Sequence, residues 1–212
     1  MTPALLARLQ AMGWSVALFR LSDTASARDG AAILGNVPVV EAGSGDEAGV
    51  RDALARIREQ HGSVAVAIYL HAARVEGVAQ RSAAEAVRAP FLLAKHLADD
   101  LNGAASRRWA GFVAVTRIDG ELGVSGALAD GLPDLTAGGL PGLVKTLRLE
   151  WPQVACRAVD LTPELPPDEA SRLLVGEILD PNRTVSEVGW GPRGRVTIET
   201  TPSGSPELYD GV

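Results

Sequence analysis

Apolar residues recur along this chain with two different rhythms. In some windows they stand three or four positions apart, the spacing of one helix face; in others they form short continuous runs, as buried strands do. Leu5, Leu6, Leu9 and Met12 follow the first rhythm and predict an opening helix. Thr2 is its predicted N-cap, Pro3 suits the first helical position, and Gly13 ends it. The β-branched and apolar run Trp14 to Leu21 predicts a strand, and Val37 to Glu41 a short one. Gly43-Ser44-Gly45-Asp46 reads as a turn into a helix over 47–60, striped by Val50, Leu54 and Ile57 and closed by Gly62. Val64 to Leu70 is continuously apolar, as expected of a central parallel strand covered on both faces.

The same alternation continues. A helix over 82–102 is predicted to bury Val87, Phe91, Leu92 and Leu97, and Phe112 to Thr116 forms the next strand. A helix over 138–151 turns Leu140, Leu143, Val144, Leu147 and Trp151 inward. Ala155 to Leu161 is a strand, and Pro163 to Pro167 links it to a helix over 168–179. Strands over 184–190 and 195–200 come last. Residues 22–36 and the Gly- and Asp-rich 118–137 read as loops, and 201–212 as a tail or interdomain linker.

Strands alternating with helices predict an α/β fold, doubly wound and Rossmann-like, with a mainly parallel sheet of about six or seven strands. A Rossmann unit ordinarily begins with a strand, a glycine-rich turn and then a helix. Here the helix comes first, so the predicted unit, residues 1–200, is truncated at its N-terminus. Its first strand and phosphate loop are either cut away or replaced by another segment.

Composition changes this picture little but excludes several functions. A length of 212 residues suits one domain, and 46% hydrophobic with 22% charged residues is a globular profile. With aromatics at 4%, Leu, Val, Ile and Ala must fill the core. A net charge of −6 argues against a broad nucleic-acid surface. The single cysteine, Cys156, forms no internal disulfide and fits a reducing compartment. There is no apolar run near the ~20 residues that cross a bilayer. A cytoplasmic location without membrane or nucleic-acid partners is the expectation.

Four phrases are more specific than generic α/β sequence. Thr116-Arg117-Ile118-Asp119-Gly120 is followed by Leu122-Gly123; Gly138 to Pro152 reads GGLPGLVKTLRLEWP; Cys156 to Leu161 reads CRAVDL; Glu187 to Trp190 reads EVGW. In this order they resemble the ketoreductase region of modular polyketide synthases and polyunsaturated fatty acid synthases, a short-chain dehydrogenase/reductase-like region. The resemblance covers roughly residues 4–200. It implies two Rossmann-like halves: a truncated structural subdomain that binds no cofactor, and a catalytic one that binds NADPH. This chain resembles the structural half. Its implied partners are the catalytic subdomain, neighbouring synthase domains and, indirectly, an acyl carrier protein.

The residues themselves bear on that expectation. Hydride transfer in such proteins needs a glycine-rich turn for the pyrophosphate, a tyrosine acid with a lysine beside it, and a serine hydroxyl for the substrate carbonyl. Gly43-Ser44-Gly45 lacks a third glycine in place. Gly138-Gly139 and Gly142 open a helix, which suits either an anion or close helix–strand packing. Pro141 stands four residues before Lys145, where the resemblance would put the tyrosine. Tyr69 lies inside a predicted strand and reads as core, and Tyr209 lies in the tail. Thr116 and Lys145 are therefore vestigial candidates, Arg88 stands near a position where the catalytic half has a lysine, and no catalytic, cofactor-binding or metal-binding set is complete. His61, His71 and His96 are too scattered for a metal motif. His71, just after a strand, suits either a ligand contact or a local hydrogen bond. Arg117 and Asp119 suit either a pair that pins the 118–137 loop or a substrate contact. Lys145 and Arg148 share a basic strip that either docks a neighbour or is solvated. Cys156 reads as a buried apolar residue.

Three functional classes follow. The first is a non-catalytic structural subdomain, the second a divergent NADPH-binding reductase using Thr116 and Lys145, and the third a stand-alone pseudo-reductase serving protein–protein contacts.

Overall fold

The structure, a computed structural model, describes residues 1–21, 37–42, 46–71, 83–124 and 135–199. In chain order these form α1 (Thr2–Ala11), β1 (Leu18–Leu21), β2 (Val39–Ala42), α2 (Glu47–His61), β3 (Val66–Leu70), α3 (Ala83–Ala105) and β4 (Gly111–Thr116). A 3₁₀ turn (Leu135–Gly138), α4 (Gly139–Glu150), β5 (Ala155–Leu161), α5 (Pro167–Leu179), β6 (Glu187–Gly191) and β7 (Gly194–Thr197) complete the set. The strands lie in a two-stranded parallel sheet, β1-β2, and a five-stranded sheet ordered β3-β4-β5-β6-β7. The neighbours from β3 to β6 are parallel, and β7 returns antiparallel as a hairpin. This is the expected α/β Rossmann-like, doubly wound fold.

Strand periodicity sorts the side chains into two cores. Phe112 and Ala114 of β4, with Cys156 and Ala158 of β5, meet α2, α3 and α4 on one face. Val113 and Val115, with Val159 and Leu161, meet α1 and α5 on the other. β4 and β5 thus bury both faces, which only helices on both sides permit. α2 starts where Asp46 accepts a hydrogen bond from the Gly49 N–H, 2.8 Å, satisfying one of the orphan donors of the first turn.

Several expectations change. The N-cap of α1 is Met1, without a side-chain cap, and Thr2 is already helical. The first strand narrows to Leu18–Leu21 within the predicted 14–21. Phe91 is 49% exposed, not buried: it sits on the outer face of α3, while Leu92 and Leu97 turn inward. The run that reads as a central strand, β3, ends its sheet instead. All five of its residues are half-buried, whereas every residue of β4 is buried. The proposed loop 22–36, the Gly43-Ser44-Gly45 turn and the 201–212 tail lie outside the described residues.

Candidate functional site

In open α/β sheets ligands bind beyond the carboxyl ends of the strands; at that edge the described residues are mainly those that follow β4, β5 and β6. Asp160 lies near the end of β5 and is fully buried. A buried carboxylate must have its lone pairs filled. Its Oδ1 accepts from the Thr116 hydroxyl at 2.7 Å and the Ile118 N–H at 2.8 Å. Its Oδ2 accepts from the N–H groups of Gly120 at 2.7 Å, Leu122 at 3.1 Å and Asp119 at 3.3 Å. The 118–122 segment therefore wraps its amides around one carboxylate, the kind of concave donor array that elsewhere receives anions.

The turn is held from both sides. Asp119 Oδ1 accepts from the N–H groups of Glu121 and Gly123, at 2.8 and 3.0 Å. Gly120 has φ +74°, and a Cβ there would stand 2.2 Å from the Trp190 carbonyl oxygen. Gly189 in turn sits under the Gly120 carbonyl, where a Cβ would come within 2.2 Å. Only glycines permit this backbone-on-backbone approach. Arg193 makes a forked pair with the buried Glu121, at 2.6 and 2.9 Å, and Arg117 donates to the carbonyls of Pro163 and Leu165. The described part of the loop, 118–124, is thus held with Asp160 as its centre, by Arg117 and Asp119 acting on separate backbone partners rather than as the expected pair with each other; residues 125–134 of the predicted 118–137 loop lie outside the described residues. Three of the four sequence phrases, around Thr116, Asp160 and Gly189, meet in this one knot.

The chemistry left to the candidates is limited. Thr116 is 2% exposed and directs its hydroxyl proton to Asp160. Lys145 pairs with Glu187 at 3.2 Å, at the start of β6. Thr116 is in register with Asp160, Asp160 with Gly189, and Ala158 with Glu187. Lys145 is therefore tied two residues nearer the amino edge than Thr116. Pro141 occupies the first turn of α4 and supplies no proton. Gly139 has a packing role: a Cβ would stand 2.5 Å from Val87 Cγ2 on α3. The close contact is helix on helix, not helix on strand.

The remaining candidates are dispersed. Tyr69 packs against the core from β3, and its ring centroid lies 6.4 Å from that of His71. The His71 N–H donates to the Val115 carbonyl. His61 Nδ1 lies 3.1 Å from Ser15 Oγ, and His96 Nε2 lies 3.1 Å from Glu47 Oε1. Arg88 is exposed. Among the described residues no cluster of three or more His, Cys, Asp or Glu side chains is arranged to hold a metal. Cys156 is buried, and desolvation pushes its thiol up to about 12.

Sequence reasoning missed a second buried network, at the amino edge. Arg157 and Glu177 are both buried, and their side chains meet at 2.9 Å. Arg195 makes a forked pair with the same Glu177, at 2.7 and 3.0 Å; Trp190 Nε1 donates to it at 2.9 Å, and Asp180 bridges both arginines. The signal was present in CRAVDL: Arg157 and Asp160 are two charges in a strand otherwise built for burial, and each requires a partner.

An NADPH site needs free amides for the pyrophosphate and, for hydride chemistry, a proton donor. Among the described residues the amides of Ile118, Asp119, Gly120 and Leu122 after β4 point to Asp160, Gly139 packs against Val87 while Gly138 and Gly142 meet no neighbour, and no tyrosine stands on α4. No helix among the described residues is long and apolar enough to cross a membrane.

No family model matches the chain. A stretch of 83 residues, 38% of the chain, is 39% identical to part of a polyunsaturated fatty acid synthase from Thraustochytrium sp.. That stretch spans only 3% of the synthase polypeptide. Among solved structures, the apo SCOR enzyme of Clostridium thermocellum superimposes with a TM-score of 0.60 at 13% identity, over 83% of this chain and 80% of that one. A variant of a Serratia marcescens short-chain dehydrogenase/reductase gives 0.59 at 15% identity, over 85% and 86%. The ligand-free aldohexose dehydrogenase of Thermoplasma acidophilum gives 0.51 at 17%, over 85% and 69%. At these identities the likeness is one of fold: the chain shares the Rossmann-like architecture of these proteins.

Proposed function

We propose that this chain is a non-catalytic structural subdomain of the ketoreductase in a polyketide or fatty acid synthase. It would support a separate catalytic half that reduces a β-ketoacyl group on an acyl carrier protein with NADPH. The observation that carries this reading is the self-filled amide array at the carboxyl edge. At the loop after β4 the amide donors are taken up by a buried carboxylate of the chain's own, Asp160. The likeness to a fatty acid synthase over 83 residues supports the assignment to a multienzyme.

The physical task of such a subdomain is to stay rigid while a neighbour reacts. The two ionic networks suit that task, because each joins strand, loop and hairpin through buried groups that cannot be released one at a time. The exposed side of α4, with Leu149 and the nearby Lys145 and Arg148, is available to a neighbouring domain. The reading is tested by mixing the purified chain with NADPH and a β-ketoacyl thioester and following NADPH absorbance. No turnover is expected from the chain alone, and turnover appears only when a catalytic half is added. Sustained oxidation by the chain alone, removed by Thr116→Ala or Lys145→Ala, would establish the divergent-reductase reading instead.

A further inference from the structure

The turn after β4 depends on two residues whose pairing carries a chemical liability. Gly120 is needed there, because its φ is +74° and a Cβ would stand 2.2 Å from the Trp190 carbonyl oxygen. Asp119 is needed as well: its Oδ1 accepts from the N–H groups of Glu121 and Gly123 and so shapes the turn. Together they make an Asp-Gly pair. A glycine is the successor least able to shield an aspartate from its own backbone, since it has no side chain to hinder the approach of its nitrogen to the carboxyl. The sequence holds four such pairs, at 29–30, 119–120, 130–131 and 210–211, and of these the described residues include 119–120 alone.

The reaction open to such a pair is ring closure, and it needs only water and protons. The Gly120 nitrogen bonds to Asp119 Cγ, and one carboxyl oxygen leaves as water with the amide proton and a proton from solvent. Water then opens the resulting succinimide at either carbonyl and releases a proton. Opening at the former side-chain carbonyl restores aspartate. Opening at the main-chain carbonyl leaves isoaspartate, in which the backbone runs through the aspartate Cβ and is one methylene longer. Mass and oxidation state are unchanged. The fold has no room for that methylene: a Cβ on Gly189 would already come within 2.2 Å of the Gly120 carbonyl oxygen.

The folded chain opposes the first step at both of its atoms. The Gly120 N–H is buried and donates to Asp160 Oδ2 at 2.7 Å. To attack, this nitrogen must shed its proton, and a carboxylate beside it disfavours the amide anion. The Asp119 carboxylate is committed to the amides that follow Gly120. Asp160 in turn is held in place, because moving it would orphan the Thr116 hydroxyl and the Ile118 N–H. We propose that Asp119-Gly120 is an isoaspartate-forming modification site that Asp160 keeps closed in the folded chain and that opens when the Gly120 amide leaves Asp160. The site does not depend on the functional reading above: a structural subdomain and a reductase would carry it alike.

The test follows isoaspartate at residue 119 in the full chain held at neutral pH and physiological temperature. It is read by electron-transfer fragmentation of the tryptic peptide that begins at Ile118. The reference is a free peptide of residues 116–124, which lacks Asp160. Covalent change that proceeds only from an opened state follows the population of that state, so conversion in the folded chain is expected to be at least about tenfold slower than in the peptide. Asp160→Ala is expected to remove most of this protection, whereas Glu177→Ala, of similar cost to stability, leaves most of it in place. Conversion in the folded chain at the peptide's rate overturns the proposal. So does equal acceleration by the two variants, since global unfolding alone then opens the site. If Asp160→Ala does not fold, the unmodified chain is taken through urea concentrations below its unfolding transition, and conversion is compared with hydrogen exchange at the Gly120 amide. Conversion that rises in step with this exchange supports the guard by Asp160, and conversion while the amide stays protected overturns it.

Discussion

β3 and β5 are separated by one strand and differ in a way their sequences invert. β5 carries two charged residues, Arg157 and Asp160, and is buried from Cys156 to Leu161. β3 carries none and is half-exposed throughout. Burial here follows from neighbours rather than from residue type. The charges of β5 are tolerated because each is met by groups of the same chain, guanidinium to carboxylates at the amino edge and carboxylate to amides at the carboxyl edge. β3 has the composition of a core strand but, among the described residues, has a bonded neighbour on one side only.

The comparison breaks most readily at the charges. Glu177→Ala leaves Arg157 buried with its main carboxylate partner removed, and a loss of about 3–5 kcal/mol is expected in denaturant unfolding. Asp160→Ala orphans the Thr116 hydroxyl and the amides of the 118–122 turn and is expected to cost about 3 kcal/mol or more. Losses below about 1 kcal/mol in both would show that these networks do not hold the sheet edges.

Gly120→Ala is expected to cost about 2–3 kcal/mol, because the new methyl meets the Trp190 carbonyl and the backbone must leave positive φ. Its check is Tm together with the near-ultraviolet signal of Trp190. A matched pair isolates burial from chemistry. Val159→Ala in β5 should lose about 2 kcal/mol, and Val66→Ala in β3 about half of that or less. Equal losses would mean that β3 is as enclosed as β5.

Much of this was legible beforehand. The strand and helix rhythm gave the order of elements, because period 2 and period 3.6 are local properties of the chain. The absence of a tyrosine on α4 was equally plain, with Pro141 four residues before Lys145. Phe91 misled because a large apolar residue at helical spacing does not reveal which face is covered. The partners of Asp160 and Arg157 were not legible, since they come from residues 38–44 positions away in one case and 20–28 in the other. The central, doubly covered place expected of β3 was not met: β3 ends the five-stranded sheet and is half-buried throughout, because coverage depends on neighbouring elements that no local pattern describes.

The smallest effect concerns Cys156. Burial raises its thiol from 9.0 to about 12, so the native state holds a proton the unfolded state has released. Stability should therefore fall as pH rises from the ordinary thiol value toward 12. At neutral pH the native thiol should resist alkylation by iodoacetamide and react only after unfolding. Rapid labelling of the native chain would place a breach in the core between β5 and α4.

The central claim is that the amide array after β4 is filled by the chain itself. Its most direct measurement is a titration of the unmodified chain with NADPH, followed through tryptophan fluorescence, since Trp190 lies against the Asp160 turn. The account predicts no saturable change even at millimolar NADPH. Saturable binding in the micromolar range would contradict it.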